Sequence, residues 1–218
     1  MALFNAFMAP LSATARARLV SMRGTGSIFG DRLHALGVRL GLRYGGSFYY
    51  PSADRTVLQC RIIPHFQLSE AHQSVLFVGS DWYTQGYSRL FEHKNYWTID
   101  ADPARAHYGG RRHIIDNVLN LERYFTPGSL DAIFLNGIIG WGLDSREDAE
   151  AAFAACHRCL RKGGDLIVGW NDLAAHRPFR LDEIASLGRF ERRPFAPLGT
   201  DEYLIDNEWR HVFSFFRA

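Results

Sequence analysis

Between residues 74 and 170 the chain repeats one pattern: a short apolar run that closes on glycine or a polar residue, followed by a helix-like or turn-rich segment. The runs are Ser-Val-Leu-Phe-Val-Gly (74–79), Tyr-Trp-Thr-Ile-Asp (96–100), Arg-His-Ile-Ile-Asp (112–116), Leu-Asp-Ala-Ile-Phe-Leu-Asn (130–136) and Gly-Asp-Leu-Ile-Val-Gly-Trp (164–170), the last leading into Asn171-Asp172. Continuous apolar runs of this length suit strands buried on both faces. Helices between them require parallel crossover units. The pattern therefore predicts an α/β fold with a mostly parallel sheet covered on both sides.

In open parallel sheets ligands bind in the crevice beyond the carboxyl ends of the strands. That is where the polar residues of this pattern fall, so the crevice is expected to hold a nucleoside-bearing ligand. Composition narrows the setting. With 218 residues the chain is long enough for one well-cored domain and an appendage. Its 47% hydrophobic and 22% charged residues are those of an ordinary globular protein, and a formal charge of +2 argues against a dedicated nucleic-acid surface. Lysine occurs only as Lys94 and Lys162, an imbalance given no functional weight. Three cysteines (Cys60, Cys156 and Cys159) are too few for a disulfide framework and fit a reducing compartment. No run approaches the length of a membrane span. The acid-free opening, with Arg16, Arg18 and Arg23, has the flavour of a transit peptide but reads better as an amphipathic helix, so the expected location is cytoplasmic.

Residues 1–70 are read as an appendage or cap and 71–218 as the main domain. The appendage is predicted to hold helices over 11–22 and 28–42 and two strand-like pieces, Ser47–Pro51 and Val57–Pro64. The best-specified helix is 146–161. Ser145 caps it, with Asp148 three residues on as in a capping box; Glu147 and Asp148 suit its start, and Arg158, Arg161 and Lys162 its end, with Gly163 as the stop. Beyond residue 180 a short helix at 181–187 and two strands, 190–197 and 209–217, are expected.

This ordered series resembles the class I S-adenosylmethionine-dependent methyltransferases, from about residue 70 to 218. Val75–Asp81 stands at that family's first strand and loop, and Thr98-Ile99-Asp100 at its second strand. Ile114–Asn117, Ser129–Phe134 and Cys159–Val168 stand at the third, fourth and fifth. The resemblance implies a Rossmann-like seven-stranded, mostly parallel sheet with an antiparallel terminal strand, helices on both faces, and S-adenosylmethionine as cofactor. Carried over position by position, Gly79, Ser80, Asp81 and Tyr83 form the loop at the cofactor's methionine portion. Asp100 takes the ribose hydroxyls and Asp116, with Asn117, the adenine. Asn136 lies beside the sulfonium. The first loop departs from the family pattern: Phe77 replaces its acid, and Asp81 and Tyr83 replace two of its glycines. Asp81 is then a candidate partner for the cofactor ammonium.

The function expected is methyl transfer to a small-molecule or metabolite acceptor. That chemistry needs alignment more than a catalytic triad. Asn136, Trp141, Asp172 and His176 are the candidate catalytic or acceptor-positioning residues. Gly137–Gly142 reads equally as a substrate wall or as a loop sealing the crevice. Cys156-His157-Arg158-Cys159 contains a CxxC, but both cysteines fall inside the capped helix and no partner pair follows, so core packing is expected and no metal. His211, alternating with Trp209, Phe213 and Phe215, reads as structural. Two rivals remain: a non-catalytic binding or scaffolding protein on the same fold, and a nicotinamide-dependent oxidoreductase. The latter lacks the G-x-G-x-x-G fingerprint. The sequence leaves oligomeric state open.

Overall fold

A computed structural model describes residues 52–218, which fall in the second of two compact units, Phe48–Ala218. The helices expected over 11–22 and 28–42 and the strand-like piece at 47–51 lie outside the described residues. The described part begins with a helical segment: α1 (Ala53–Val57), a π-helical turn (Leu58–Ile62) and α2 (Ile63–Leu68). This corrects the strand expected at Val57–Pro64. Ser52 caps α1, its side chain accepting from Arg55 N–H, and Asp54 sits in the first turn. Leu58, Ile62, Ile63 and Phe66 are fully buried at helical, not alternating, spacing. Pro64 cannot donate to the Cys60 carbonyl, and the turn before it widens so that Ile63 N–H reaches back to Leu58 C=O.

The sheet has eight strands: β1 (Ser74–Val78), β2 (Asn95–Asp100), β3 (His113–Ile115), β4 (Leu130–Asn136), β5 (Leu160–Asn171), β6 (Glu191–Arg192), β7 (Glu202–Leu204) and β8 (His211–Arg217). Their order is β3-β2-β1-β4-β5-β8-β6, with β7 also paired to β8. β1 to β5 are parallel, while β8 runs antiparallel to β5 along seven residues. The one strand beyond the seven expected is the three-residue β7. The strand expected at 190–197 shrinks to Glu191–Arg192, because Pro194 and Pro197 withdraw ladder donors. The helix expected at 181–187 is two separate 3-10 turns, Leu181–Glu183 and Leu187–Arg189.

Both faces of the sheet are covered, as the uninterrupted apolar strands require. On one face α4 (Arg146–Cys159) packs Ala152, Phe153 and Cys156 against Ile133, Leu135, Leu166 and Val168. Ser145 Oγ accepts from Asp148 N–H at 3.0 Å, as the capping pattern predicts. The helix ends at Cys159, two residues earlier than expected, and Leu160 already belongs to β5. Cys156 and Cys159 are buried in this layer, as the core-packing reading requires. On the other face α1, the π turn, α2 and a short helix α3 (Tyr87–Leu90) cover Phe77, Phe134, Ile167, Phe213 and Phe215. Phe66 of α2 meets Phe134 edge-on at 5.1 Å, locking the helical segment to the sheet centre.

Among the described residues no helix is long and apolar enough to cross a membrane, and no group of three or more His, Cys, Asp or Glu side chains is arranged to hold a metal.

Candidate cofactor and acceptor site

The carboxyl ends of β1 to β5 bring the sequence-derived candidates to one edge. β1 turns at Gly79, whose φ of +87° a side chain would strain; a Cβ there would also lie 3.0 Å from Ile138 Cγ2. Its N–H donates to Ile99 C=O at 2.9 Å, tying the turn to β2. Asp100, ending β2, accepts from Ser80 N–H at 2.6 Å and from Asp102 N–H at 2.9 Å. A carboxylate has about four lone-pair positions, so two remain for ribose hydroxyls. Gly79, Ser80 and Asp100 thus form one unit.

The rest of the loop is closed on itself. Asp81 N–H donates to Thr84 Oγ1 at 2.9 Å, and Trp82 N–H to Asp81 Oδ1 at 2.7 Å. Asp81 Oδ2 pairs with Arg105 at 3.2 Å, so the candidate for the ammonium already has a cationic partner. Tyr83 lies under the guanidinium of Arg55, 4.3 Å from its carbon. Asp116, after β3, accepts from Asn117 N–H, from Asn120 Nδ2 at 2.7 Å and from the Tyr124 hydroxyl at 2.8 Å, with Arg123 at 3.6 Å. The Asn120 bond first, then those of Tyr124 and Asn117, hold its pKa below the usual carboxylate value. Asn117 caps the following 3-10 turn by accepting from Leu119 N–H.

At the β4 and β5 ends the candidates separate into two groups. Trp141, 56% exposed, stacks on His176 at 4.6 Å, and His176 leans on the half-exposed Trp209 at 5.8 Å. These three rings, from the loops after β4, after β5 and before β8, make an aromatic rim. Asp172 belongs to neither group: Arg177 and Arg210 both hold its carboxylate.

The second group is buried. Asn136 is 5% exposed, and neither its amide oxygen nor its nitrogen has a hydrogen-bond partner among the described residues. Its amide fills the space a Gly169 side chain would take; a Cβ there would fall 1.8 Å from Oδ1. His211 Nε2, 3.0 Å from that same position, is also unpartnered, as is Nη1 of the 7% exposed Arg55. Arg55 Nε pairs with Asp54 at 3.2 Å. Burial pushes the His211 pKa down to about 4, against the pull of Asp54 and with the push of Arg55. Burial alone would raise that of Asp54, but Arg55, then His211 and Ser52, bring it below its ordinary value.

Asp54 and Arg55 escaped the sequence reading because Ser52-Ala53-Asp54 looks like a turn between strands. A Ser followed by an acid two residues on is equally a helix start; that signal would have put them on a helix, without bringing them to this edge. His211, expected from the sequence to be structural, is buried beside Asn136.

The site fits a nucleoside cofactor: a glycine turn that a Cβ would crowd, an acid with spare acceptor positions at the second strand end, and buried polar atoms awaiting partners. Residues 78–168 match a family model described as "Methyltransferase domain". The fold resembles the N-methyltransferase NodS from Bradyrhizobium japonicum WM9, solved with S-adenosyl-L-homocysteine, at 15% identity, covering 77% of this chain and 93% of that one, with a TM-score of 0.55. It resembles a SAM-dependent methyltransferase from Methanosarcina mazei at 14% identity, over 72% and 96% of the two chains, with a TM-score of 0.53. One from Archaeoglobus fulgidus matches at 10% identity, over 74% and 91%, with a TM-score of 0.54. A comparison with curated proteins found no match. Residues 78–168 thus match a methyltransferase domain, and the fold as a whole resembles that of solved SAM-dependent methyltransferases.

Proposed function

We propose that the chain transfers a methyl group from S-adenosylmethionine to a small-molecule or metabolite acceptor. The observation that carries this reading is the row of groups at the carboxyl edge: Gly79, Asp100, Asp116 and Asn136 end or follow β1, β2, β3 and β4, neighbours in the sheet. When bound, the cofactor supplies an electrophilic methyl group on a sulfonium. Asp100 would accept the ribose hydroxyls on its spare lone pairs. Asp116, kept ionised by its neighbours, would present an acceptor to the adenine, with Asn117 shaping the turn beside the ring. Gly79 lets the backbone approach closely.

The aromatic rim of Trp141, His176 and Trp209 supports an acceptor small enough to lie on it, and gives such a molecule an apolar surface that excludes water. Alignment and desolvation are what a methyl displacement needs. Asp172, clamped by Arg177 and Arg210, would orient the loop after β5. A formal charge of only +2 supports a small acceptor over a nucleic acid.

A second reading, a non-catalytic binding protein, draws support from the closed loop, where the amides of Ser80, Asp81 and Trp82 are already paired. Calorimetric titration with S-adenosylhomocysteine decides between them. Micromolar binding, lost in Asp100→Ala, supports the methyltransferase; no binding to the folded wild type rejects it in favour of the second.

A further inference from the structure

The loop after β1 has little left to offer a charged ligand. Amides of three successive residues, 80 to 82, are taken by Asp100, Thr84 and Asp81, and the Asp81 carboxylate is taken by Arg105. Two positions where glycine would leave bare backbone carry side chains instead. Yet within a short distance the fold leaves several buried polar atoms without partners. An unsatisfied buried donor or acceptor is destabilising, so a cluster of them in one place calls for an occupant.

That cluster has a definite charge pattern. Arg55 lies over Tyr83, the residue standing at a lost glycine, and its Nη2 is 3.8 Å from where a Gly137 Cβ would sit. Arg55 therefore bridges the first loop and the end of β4. Its Nη1 is a charged donor in need of an acceptor. Asn136 offers a neutral acceptor, Oδ1, close to the neutral imidazole of His211. With Asp54 ionised beside Arg55, the cluster has no net charge but is charge-separated. A simple anion would find the guanidinium half-neutralised, and a simple cation would meet it unfavourably. A zwitterion, carrying both signs a few ångströms apart, complements both ends.

Resting on the function proposed above, we propose that Arg55 and Asn136 hold the zwitterionic amino-acid end of the cofactor, Arg55 taking its carboxylate and Asn136 Oδ1 its ammonium. α1, packed against the sheet face, thus supplies the anchor that the substituted loop no longer gives. Asp54 orients Arg55 through its Nε and leaves Nη1 for the ligand. A neutral His211 adds no third charge beside the ammonium.

The test is calorimetric and needs no acceptor. Wild type and Arg55→Gln are titrated with S-adenosylhomocysteine and with its decarboxylated analogue, which lacks only the carboxylate. Wild type is expected to prefer the complete ligand by about tenfold to a hundredfold, the range of a charge-assisted hydrogen bond. In Arg55→Gln the preference should collapse to near unity while the analogue binds unchanged. Arg55→Lys, which keeps the charge, should restore part of it. Asn136→Leu is compared in the same way with the deaminated analogue. Equal affinity of wild type for complete and decarboxylated ligand overturns the inference without any variant, as does a preference that survives in Arg55→Gln. In either case nucleoside binding, and the methyltransferase reading with it, still stands. Failure of wild type to bind any of the ligands overturns both.

Discussion

Asp131 joins three strands at the edge of the sheet away from the site, and its removal should weaken the fold without touching the ligand. Its Oδ2 accepts from Gln73 N–H and Ser74 N–H at 2.8 Å each, where β1 begins, and Oδ1 accepts from Arg161 Nε on β5 at 2.6 Å. Asp131→Asn keeps one oxygen for the two amides but turns an NH₂ group toward a guanidinium. The ion pair, with Arg161 about one-third exposed, is worth about 1 kcal/mol. Each amide bond falls from charge-assisted to neutral strength, a loss of about 0.5–1 kcal/mol apiece. The total, about 2–3 kcal/mol, corresponds to a Tm lowered by about 4–12 °C for a chain of this size. The effect also has a pH signature. Burial alone would raise the Asp131 pKa, but Ser74 N–H, then Arg161 and Gln73 N–H, bring it below the ordinary carboxylate value. A depressed folded pKa means that the contribution is complete above the unfolded value and disappears as pH falls through the folded one. Urea titrations of both proteins, from pH 7 down to the lowest pH at which both stay folded, should show the gap narrowing in acid. A gap under about 0.5 kcal/mol at pH 7, or one that does not narrow, would refute the reasoning. Affinity for S-adenosylhomocysteine should be the same in both.

The remaining expectations concern the site and the core. The His211 imidazole should stay neutral on acidification until near pH 4, which NMR titration of its ring protons reads directly; stability should therefore decline as pH falls from the ordinary histidine value of 6.5 toward about 4, because the unfolded chain binds the proton first. An imidazole titrating near 6.5 would show that the pocket is wet. Gly169→Ala should force the Asn136 amide from its place, cost about 1–3 kcal/mol in urea unfolding and weaken S-adenosylhomocysteine binding; an unchanged affinity would mean that the amide has no part in the site. With a thiol reagent, the native protein should show one fast-reacting cysteine, Cys60. Burial raises the thiol pKa of Cys159 to about 11 and that of Cys156 further, and both lie inside the core. Fast labelling of all three would mean that α4 opens readily.

What the sequence made legible follows from which forces are local. β1, β2, β4 and α4 were readable because their apolar runs, caps and terminal charges all favour one structure. The segment Val57–Pro64 was misread because an apolar run rich in Val and Ile satisfies a strand template. Whether it lies as strand or helix is decided by burial of Leu58, Ile62, Ile63 and Phe66 against a sheet face assembled from residues up to 160 positions away. The strand expected at 190–197 is shorter in the fold because Pro194 and Pro197 cut the ladder without altering the apolar pattern. In the site, residues at strand ends could be named in advance, since topology alone brings strand ends together. Arg55 could not be, because its place over Tyr83 and near Gly137 is a product of helix packing with no sequence spacing to announce it.

The position of β8 has a consequence in time as well as in space. Until residues 211–217 arrive, β5 presents its outer edge to solvent, with Leu166-Ile167-Val168 at its centre and no partner on that side. That is a long, apolar strand edge of the kind folded proteins cover, and here its cover is among the most distant in sequence. A chain emerging in order must hold this edge open while some forty residues, prolines among them, are still unplaced. Productive folding is therefore a race between docking of β8 and edge-to-edge pairing of β5 with another copy. Substitutions that weaken β8 should be felt first as lost yield at high expression, before any loss of stability in the molecules that succeed.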